Sequence, residues 1–256
     1  MKSLLSIVVN YHTDDLLARF LESYKEHVEA PSRDLIVVDV EGDGTNWVDW
    51  LSADGPECLY WDIEAENIGY ATACNRNATG KEYRNYAFFN ADTVFLDRGC
   101  VDSCIDLLES NDDVAVVGPM QVNSSGKVTH AGIFGTNTHP IHRAWMDNYP
   151  DQYEDIRDAV TVSGSAYFVD AAVWNEMIDC VGYGLLPSKL YHEETWFSYH
   201  VREHGYRVLY NGEAKMIHEW HKSVEKNQTW ADIAYKESEL MFKQACADHG
   251  IEHNIA

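Results

Sequence analysis

The sequence predicts an α/β fold with a mostly parallel sheet, and three observations support this prediction. Short apolar runs of strand length alternate with segments of helical periodicity through the first 118 residues, as in repeated βαβ units. The run 34–39 (DLIVVD) is apolar at its inner positions, which is typical of a strand buried on both faces. Polar residues follow several runs, and ligands bind at such strand ends in open parallel sheets.

The first half of the chain predicts five strands separated by helices and turns. Strands are predicted at 4–9, 34–39, 58–63, 86–90 and 114–117, the last closed by Gly118-Pro119. Helices are predicted after a Thr13 cap, at 47–51, at 68–78 and at 101–109, with turns at 40–44.

The second half has a different composition. Residues 120–158 predict a strand pair and a long loop, and 160–170 a strand with a break at 164–166. A helix at 171–178, a loop at 182–190, a helix at 192–204, strands at 206–210 and 214–218, and a closing helix at 230–249 follow. No linker interrupts the chain. We therefore predict one domain over 1–256, with a nucleotide-binding half (about 1–118) and an acceptor-binding half (about 119–256).

Charge and composition exclude several classes of partner. A net charge of −23 argues against nucleic acid and against a polybasic membrane anchor. The sequence contains no apolar run of membrane-spanning length, and its first residues do not resemble a signal peptide. Six cysteines form no CxxC pair, and Cys100 and Cys104 share one face of a predicted helix as core thiols. These features predict a cytoplasmic protein with reduced thiols.

Two carboxylates at predicted strand ends are candidate binding groups. Asp39 ends a buried strand, where it can accept hydrogen bonds from a ribose hydroxyl or a base N–H; a helix cap or a turn residue is the alternative. Asp92 follows the run Phe88-Phe89-Asn90-Ala91. A carboxylate there suits a hard divalent cation that also binds diphosphate oxygens, and a plain Asn/Asp turn is the alternative.

Two further groups suggest a catalytic base and a second metal ligand. Glu193 and Glu194 are adjacent at a predicted helix start, so their side chains point about 100° apart. One can enter a cleft as a general base, ionised with the help of the helix dipole, while the other caps the helix or faces solvent. Enrichment of Glu in first helical turns is the alternative. His218 follows a strand as a candidate neutral imidazole ligand, with a surface histidine as the alternative, and for His221 the surface position is preferred.

Several motifs occur in order between about residues 4 and 223. They are SIVVNYH (6–12), IVVD (36–39) with GDG (42–44), NIGYA (67–71) with Asn75, NAD (90–92), SGSA (163–166), EE (193–194) with Arg202 and GYR (205–207), and His218 with Ser223. In this order they resemble the family-two inverting glycosyltransferases of the GT-A fold, of the non-processive, rhamnosyl- or galactosyl-transferase-like kind. A Gln-x-x-Arg-Trp motif, typical of processive synthases, does not follow.

The resemblance implies a GT-A type, Rossmann-like nucleotide-binding sheet flanked by helices, with a C-terminal acceptor-binding portion. It implies inverting, Mn²⁺- or Mg²⁺-dependent transfer of a sugar from a UDP-, dTDP- or GDP-linked donor to a glycan, lipid-linked or protein acceptor. Asp92 and His218 are then the metal ligands, and Glu194 the base with Glu193 as second candidate. The expected nucleotide contacts are Asn10, His12, Asp39, Glu41, Asn67, Gly69, Asn75, Asn90, Ala91 and Asp92. The expected acceptor or sugar contacts are Gly164, Ser165 and Trp196.

Two departures keep other functions open: Glu194 stands where the family has Asp, and Asn90 occupies the place where a second carboxylate is expected. A third departure, His12 in place of the family's Asn, leaves the selectivity for the nucleotide base open. A non-catalytic nucleotide-sugar-binding protein is one alternative, which donor turnover would exclude. A sugar nucleotidyltransferase is another, but it would need a Gly-rich, Arg-containing loop where residues 10–13 read NYHT.

Overall fold

The computed structural model describes residues 1–42, 59–148, 150–219 and 228–254. The strands are β1 (Lys2–Tyr11), β2 (Arg33–Val40), β3 (Leu59–Glu64), β4 (Tyr83–Asn90), β5 (Thr93–Phe95), β6 (Val114–Val122), β7 (Val128–His130), β8 (Ile133–Thr136), β9 (His139–His142), β10 (Ile156–Asp158), β11 (Ala166–Asp170) and β12 (Arg207–His218). The helices are α1 (Asp14–His27), α2 (Tyr70–Ala78), α3 (Gly99–Glu109), α4 (Ala171–Val181), α5 (Glu193–Glu203) and α6 (Gln228–Asp248), with a 3-10 turn at Pro150–Tyr153.

Ten of these strands form one sheet in the order β10-β12-β6-β11-β4-β1-β2-β3, with β5 paired to β12 and β7 to β6. The run from β4 to β3 is parallel, and β12 is parallel to β6. The strand β11 lies antiparallel between β4 and β6 and joins these two parallel parts. The α/β prediction with a parallel central sheet flanked by helices is confirmed.

Helices cover both faces of the sheet because neighbouring strand residues point to opposite sides. On β1, Ile7 belongs to the core shared with α2, α4 and α5, and Val8 to the core shared with α1 and α3. Cys100 and Cys104 lie in the second core, which confirms their prediction as buried thiols. A third apolar cluster joins α5 to α6. Among the described residues, no helix has the length and apolar character needed to cross a membrane.

Several predicted boundaries are wrong. Gly118-Pro119 does not close β6, which continues to Val122, because β12 and β7 supply pairing partners beyond the proline. The strand predicted at 160–170 begins only at Ala166, although Thr161 forms an isolated bridge to Ile133. The region 120–158 is more regular than predicted, with β7, the β8–β9 hairpin and β10.

Two further predictions differ in detail. The strands predicted at 206–210 and 214–218 are one strand, β12, whose register on β6 shifts between Asn211 and Lys215. Helix α1 does begin after Thr13, but the Thr13 hydroxyl donates to Asn10 Oδ1 (2.9 Å) and does not cap the helix. The helix predicted at 47–51 lies outside the described residues, as do Asp43, Gly44, Cys58, His221 and Ser223.

Candidate active site

A cleft of about 210 Å³ lies at the carboxyl ends of β1 and β4, facing the segment that precedes α5. Ten of the predicted site residues line it: Asn67, Gly69, Asn90, Ala91, Asp92, Gly164, Ser165, Glu193, Glu194 and His218. The strand-end location follows from the parallel sheet, as the sequence predicts.

Asp92 and His218 meet through a short strand that the sequence did not predict. Directly after Asp92, β5 pairs antiparallel with the end of β12, which places His218 opposite Thr93. His218 Nε2 then lies 3.4 Å from Asp92 Oδ1, and the two side chains are 6% and 10% exposed. A carboxylate and an imidazole this close suit a divalent cation that accepts mixed oxygen and nitrogen ligands.

A hydrogen-bond network behind His218 includes a residue that the sequence analysis missed. His218 Nδ1 lies 3.0 Å from Gln121 Oε1, and Ser165 Oγ donates to the same oxygen at 2.9 Å. Gln121 is on the part of β6 beyond Gly118-Pro119, so ending the predicted strand there concealed it. Ser165, expected to contact acceptor or sugar, lines the cleft and also belongs to this network.

Glu193 and Glu194 open α5, and both face the cleft. Glu193 is 7% exposed and Glu194 is half-buried, and both line the cleft, where only one of the two was expected to enter it. Burial raises the pKa of both carboxyls, and the charge of Glu194 further raises the pKa of Glu193. Backbone N–H groups at the start of the helix do lower the pKa of both carboxyls, in the direction expected at a helix N-terminus, but the effect of desolvation is larger.

Backbone contacts hold the Glu194 carboxylate in place. A Cβ atom at Gly164 would lie 3.2 Å from Glu194 Cδ, so a glycine lets the chain pass close to the carboxyl group. Backbone hydrogen bonds from Glu194, Thr195 and Gly164 lower the pKa of Glu194 and oppose the larger effect of burial. The Tyr70 hydroxyl donates to Gly164 O at 2.7 Å and ties this segment to α2.

The segment before α5 is anchored by α6. Tyr191 and His192 both adopt left-handed backbone conformations (φ 64° and 69°), which are uncommon for residues other than glycine and cluster at functional sites. Leu190 N donates to Ser238 Oγ at 3.1 Å, and Lys189 Nζ pairs with Glu237 at 2.9 Å. Helix α6 therefore holds residues 189–190, which precede Glu193 and Glu194, in place.

The residues at the ends of β1 and β2 that were expected to contact the nucleotide are joined to one another by hydrogen bonds. Asn10 is fully buried and donates to Asp39 Oδ1 (2.8 Å) and Asp14 Oδ1 (2.9 Å). Asp39 is 3% exposed and lies outside the set that lines the cleft. His12 and Glu41, both with positive φ, pair at 3.1 Å on the exposed rim. Asn10 therefore has a structural role in this arrangement.

The NIGYA motif divides into a cleft part and a packing part. Asn67 Oδ1 accepts from Gly69 N (3.0 Å), and both residues line the cleft before α2. Gly69 has φ +80°, which only glycine adopts readily. Asn75 lies outside the lining set. Its amide donates to Leu185 O (2.7 Å) and accepts from Leu185 N (3.0 Å), so it clamps the 182–190 loop to α2.

Trp196 does not face the cleft, and its assignment to sugar binding is wrong. It is 0% exposed in the core between α5 and α6, with its ring stacked on His200. The helical period is consistent with this, since Trp196 follows Glu194 by two positions, about 200° around α5, and so points away from the side on which Glu194 lies. Tyr191 and Trp230 are aromatic residues that do line the cleft.

The side chains available as metal ligands decide whether the cleft can hold a divalent cation. Within the described parts of the chain, no group of three or more His, Cys, Asp and Glu side chains is arranged to hold an ion. Asp92 and His218 would therefore supply two ligands, leaving further positions for diphosphate oxygens and water. Mn²⁺ and Mg²⁺ commonly bind in this way, with few protein ligands and the substrate phosphates completing the shell.

The sheet and its strand-end cleft define a GT-A type fold, the fold of a large class of glycosyltransferases. Mannosyltransferase PcManGT from Pyrobaculum calidifontis, in complex with GDP-Man and Mn²⁺, is similar with a TM-score of 0.62 and 15% identity, over 86% of this chain and 57% of that one. GalNAc-T7 with UDP, GalNAc and Mn²⁺ gives a TM-score of 0.66 and 11% identity, over 98% of this chain and 55% of that one.

A third similar structure is S. aureus TarS 1-349, with a TM-score of 0.59 and 13% identity, over 96% of this chain and 68% of that one. This chain spans little more than half the length of the first two proteins. No protein-family model matches the sequence, and no curated protein sequence matches it either. The likeness therefore lies in the fold.

Proposed function

We propose that this protein is an inverting glycosyltransferase that moves a sugar from a nucleoside-diphosphate donor to an acceptor hydroxyl with the help of a divalent cation. One observation carries the proposal: a candidate cation pair, Asp92 and His218, and a candidate base, Glu194, line the same cleft of a GT-A type fold. Two of the three similar solved structures hold GDP-Man, or UDP with GalNAc, each with Mn²⁺.

The donor diphosphate would bind between the end of β4 and the start of α2. Asp92 and His218 would hold the cation, and a cation there would neutralise charge on the departing diphosphate. Asn67 and Gly69 line the cleft at the N-terminus of α2, where the helix dipole favours an anion. The nucleoside would extend toward Asp39 and the His12–Glu41 pair at the ends of β1 and β2.

The acceptor would enter from the side of α5. The Glu194 carboxylate takes the proton of the acceptor hydroxyl, and the hydroxyl oxygen attacks the anomeric carbon while the bond from that carbon to the diphosphate breaks. The products are the glycosylated acceptor, the nucleoside diphosphate and a proton that Glu194 later releases to water. Tyr191 and Trp230 would offer apolar faces to the sugar rings.

A panel of UDP-, dTDP- and GDP-sugars with Mn²⁺ tests this function. We expect release of the nucleoside diphosphate to increase in the presence of a glycan, lipid-linked or peptide acceptor. NMR of the product should show the anomeric configuration opposite to that of the donor. Retention of configuration would contradict the single displacement, and release of a nucleoside triphosphate from donor and pyrophosphate would indicate a nucleotidyltransferase.

A non-catalytic nucleotide-sugar-binding protein is the second candidate. One observation favours it: burial raises the pKa of both Glu193 and Glu194, and a protonated carboxyl cannot accept a proton. Calorimetry alongside the activity panel separates the two functions. Binding of a nucleotide sugar without turnover, including at alkaline pH where both carboxyls ionise, would establish the binding function.

A further inference from the structure

Gln121 lies behind the proposed cation pair in a position that the proposed chemistry does not use directly. It is 1% exposed on β6 and pairs in register with Met216 of β12, so His218 follows two residues later on the same face. Its Oε1 lies 3.0 Å from His218 Nδ1 and also accepts from Ser165 Oγ at 2.9 Å.

The contacts of His218 Nδ1 favour one proton position on the ring. With the Gln121 amide oriented as in this structure, its oxygen lies 3.0 Å from Nδ1, and since an amide oxygen only accepts hydrogen bonds, the two atoms bond when Nδ1 carries the hydrogen. Ser165 Oγ lies 3.3 Å from the same nitrogen and, because it donates its own hydrogen to Gln121 Oε1, can also accept from Nδ1. In a neutral imidazole the other nitrogen, Nε2, then presents a lone pair, and Nε2 is the atom 3.4 Å from Asp92 Oδ1. Two lone-pair donors that face each other in a nearly buried site are arranged for a cation between them.

The amide nitrogen of Gln121 indicates that a glutamine is present here for its contact with His218 more than for packing. Its Nε2 atom is buried and has no hydrogen-bond partner among the described residues. A buried donor without a partner lowers stability, whereas an apolar side chain of similar length would avoid that cost. The carbonyl oxygen is therefore the part of the side chain with a clear use.

We propose that Gln121 is a positioning residue that holds His218 in the Nδ1-protonated tautomer and thereby increases the affinity of the site for a divalent cation. This inference rests on the proposed function. Partners that donate to or accept from the second nitrogen of a metal-binding histidine fix its orientation, and losing one typically weakens metal affinity by about 10–100-fold.

The test measures metal affinity and tautomer separately from activity. Mn²⁺ is titrated into the protein in the presence of whichever of UDP, dTDP or GDP binds most tightly, and the EPR signal of free Mn²⁺ gives the affinity. We expect Gln121→Met to weaken Mn²⁺ binding by about 10–100-fold and Gln121→Glu, which retains an acceptor, to preserve it. In ¹⁵N-imidazole NMR spectra of the metal-free protein, His218 should be protonated at Nδ1 and should lose this preference in Gln121→Met.

Two control variants make the outcome decisive. Thr129→Val alters a buried hydroxyl on the neighbouring strand β7 that has no hydrogen-bond partner in the described structure, and it should leave Mn²⁺ affinity unchanged. His218→Ala should abolish the Mn²⁺ affinity that depends on this pair. If His218→Ala weakens binding and Gln121→Met does not, the role of Gln121 is refuted while the metal site stands. If His218→Ala binds Mn²⁺ like the wild type, the proposed metal site itself is wrong.

Discussion

Two regions at the same edge of the sheet differ in how their polar side chains are paired. At the ends of β1 and β2, Asn10 uses both ends of its amide within the protein, donating to Asp14 and Asp39 and accepting from Thr13. At the end of β4 and the start of α5, Asp92 faces an imidazole nitrogen, and two glutamates share one cleft.

The contrast shows where a ligand would change the electrostatics most. The Asn10 network is already satisfied by the fold, so a nucleoside would bind around it with little need for it to rearrange. In the second region, burial raises the pKa of two neighbouring carboxyls, which is a cost to folding that a purely structural site would avoid. Such perturbed groups in a cleft are typical of functional sites.

The largest expected effect separates the two glutamates within the second region. Glu194→Gln keeps size and hydrogen bonding but cannot accept a proton, so turnover should fall by about 10²–10⁴-fold while donor binding persists. Glu193→Gln is the matched control and should cost clearly less. Steady-state kinetics with calorimetry of donor binding measures both. The opposite ranking would make Glu193 the base, and an effect in neither variant would place the base elsewhere.

Removal of the cation should have the next largest effect. Chelation should abolish turnover and Mn²⁺ should restore it, because several kcal/mol of charge stabilisation on the leaving diphosphate is lost, about 10²-fold or more in rate. Asp92→Ala should weaken donor binding only when the metal is present. Full activity in excess chelator would remove the cation from the mechanism.

The raised pKa values predict how activity depends on pH. The base must be ionised, so kcat/KM should rise with pH by about tenfold per unit until the raised pKa of the glutamate pair is passed. Because the two carboxyls interact, the pKa that this rising part of the pH profile reports is a property of the pair and not of one glutamate. An acid limb at the ordinary glutamate value of 4.5 would show that burial does not control the base.

The same shift affects stability with the opposite sign. A raised folded-state pKa means that the folded protein holds protons that the unfolded chain releases. This contribution is complete below the ordinary value of 4.5 and disappears as pH rises through the raised value. Urea unfolding should therefore show the wild type losing stability relative to Glu193→Gln as the pH increases over that window. A constant difference would contradict the shift.

The smallest expected effect on activity comes from the first region. Asn10→Ala should lower the free energy of unfolding by about 1–3 kcal/mol, because it removes the buried hydrogen bonds that Asn10 makes with Asp39 and Thr13. Nucleotide affinity should change little. Asn77→Ala, which removes a partly buried amide bonded to Asp62 (2.9 Å), is a milder control.

Asp39→Ala, in contrast to Asn10→Ala, should weaken nucleotide binding. Calorimetry with the free nucleotide measures this change, and an unchanged affinity would make Asp39 purely structural.

The sequence alone was sufficient for the fold class and for much of the cleft. Alternating apolar runs predict β1, β2 and β4 because a strand buried on both faces has few other patterns available. The strand-end rule then places Asp92 and Asn90 at a ligand-binding edge. Glu193 and Glu194 were identified because acidic residues at a helix start leave a local signal in the sequence.

Only the tertiary structure determines which distant groups meet and which are buried. His218 reaches Asp92 through the three-residue β5 and through the register shift in β12, and neither has a strong local signal. Gln121 acquires its role from cross-strand packing, and Trp196 turns away from the cleft because α5 packs on α6. The protonation of the glutamate pair depends on desolvation, which is a property of the surrounding fold and cannot be read from neighbouring residues.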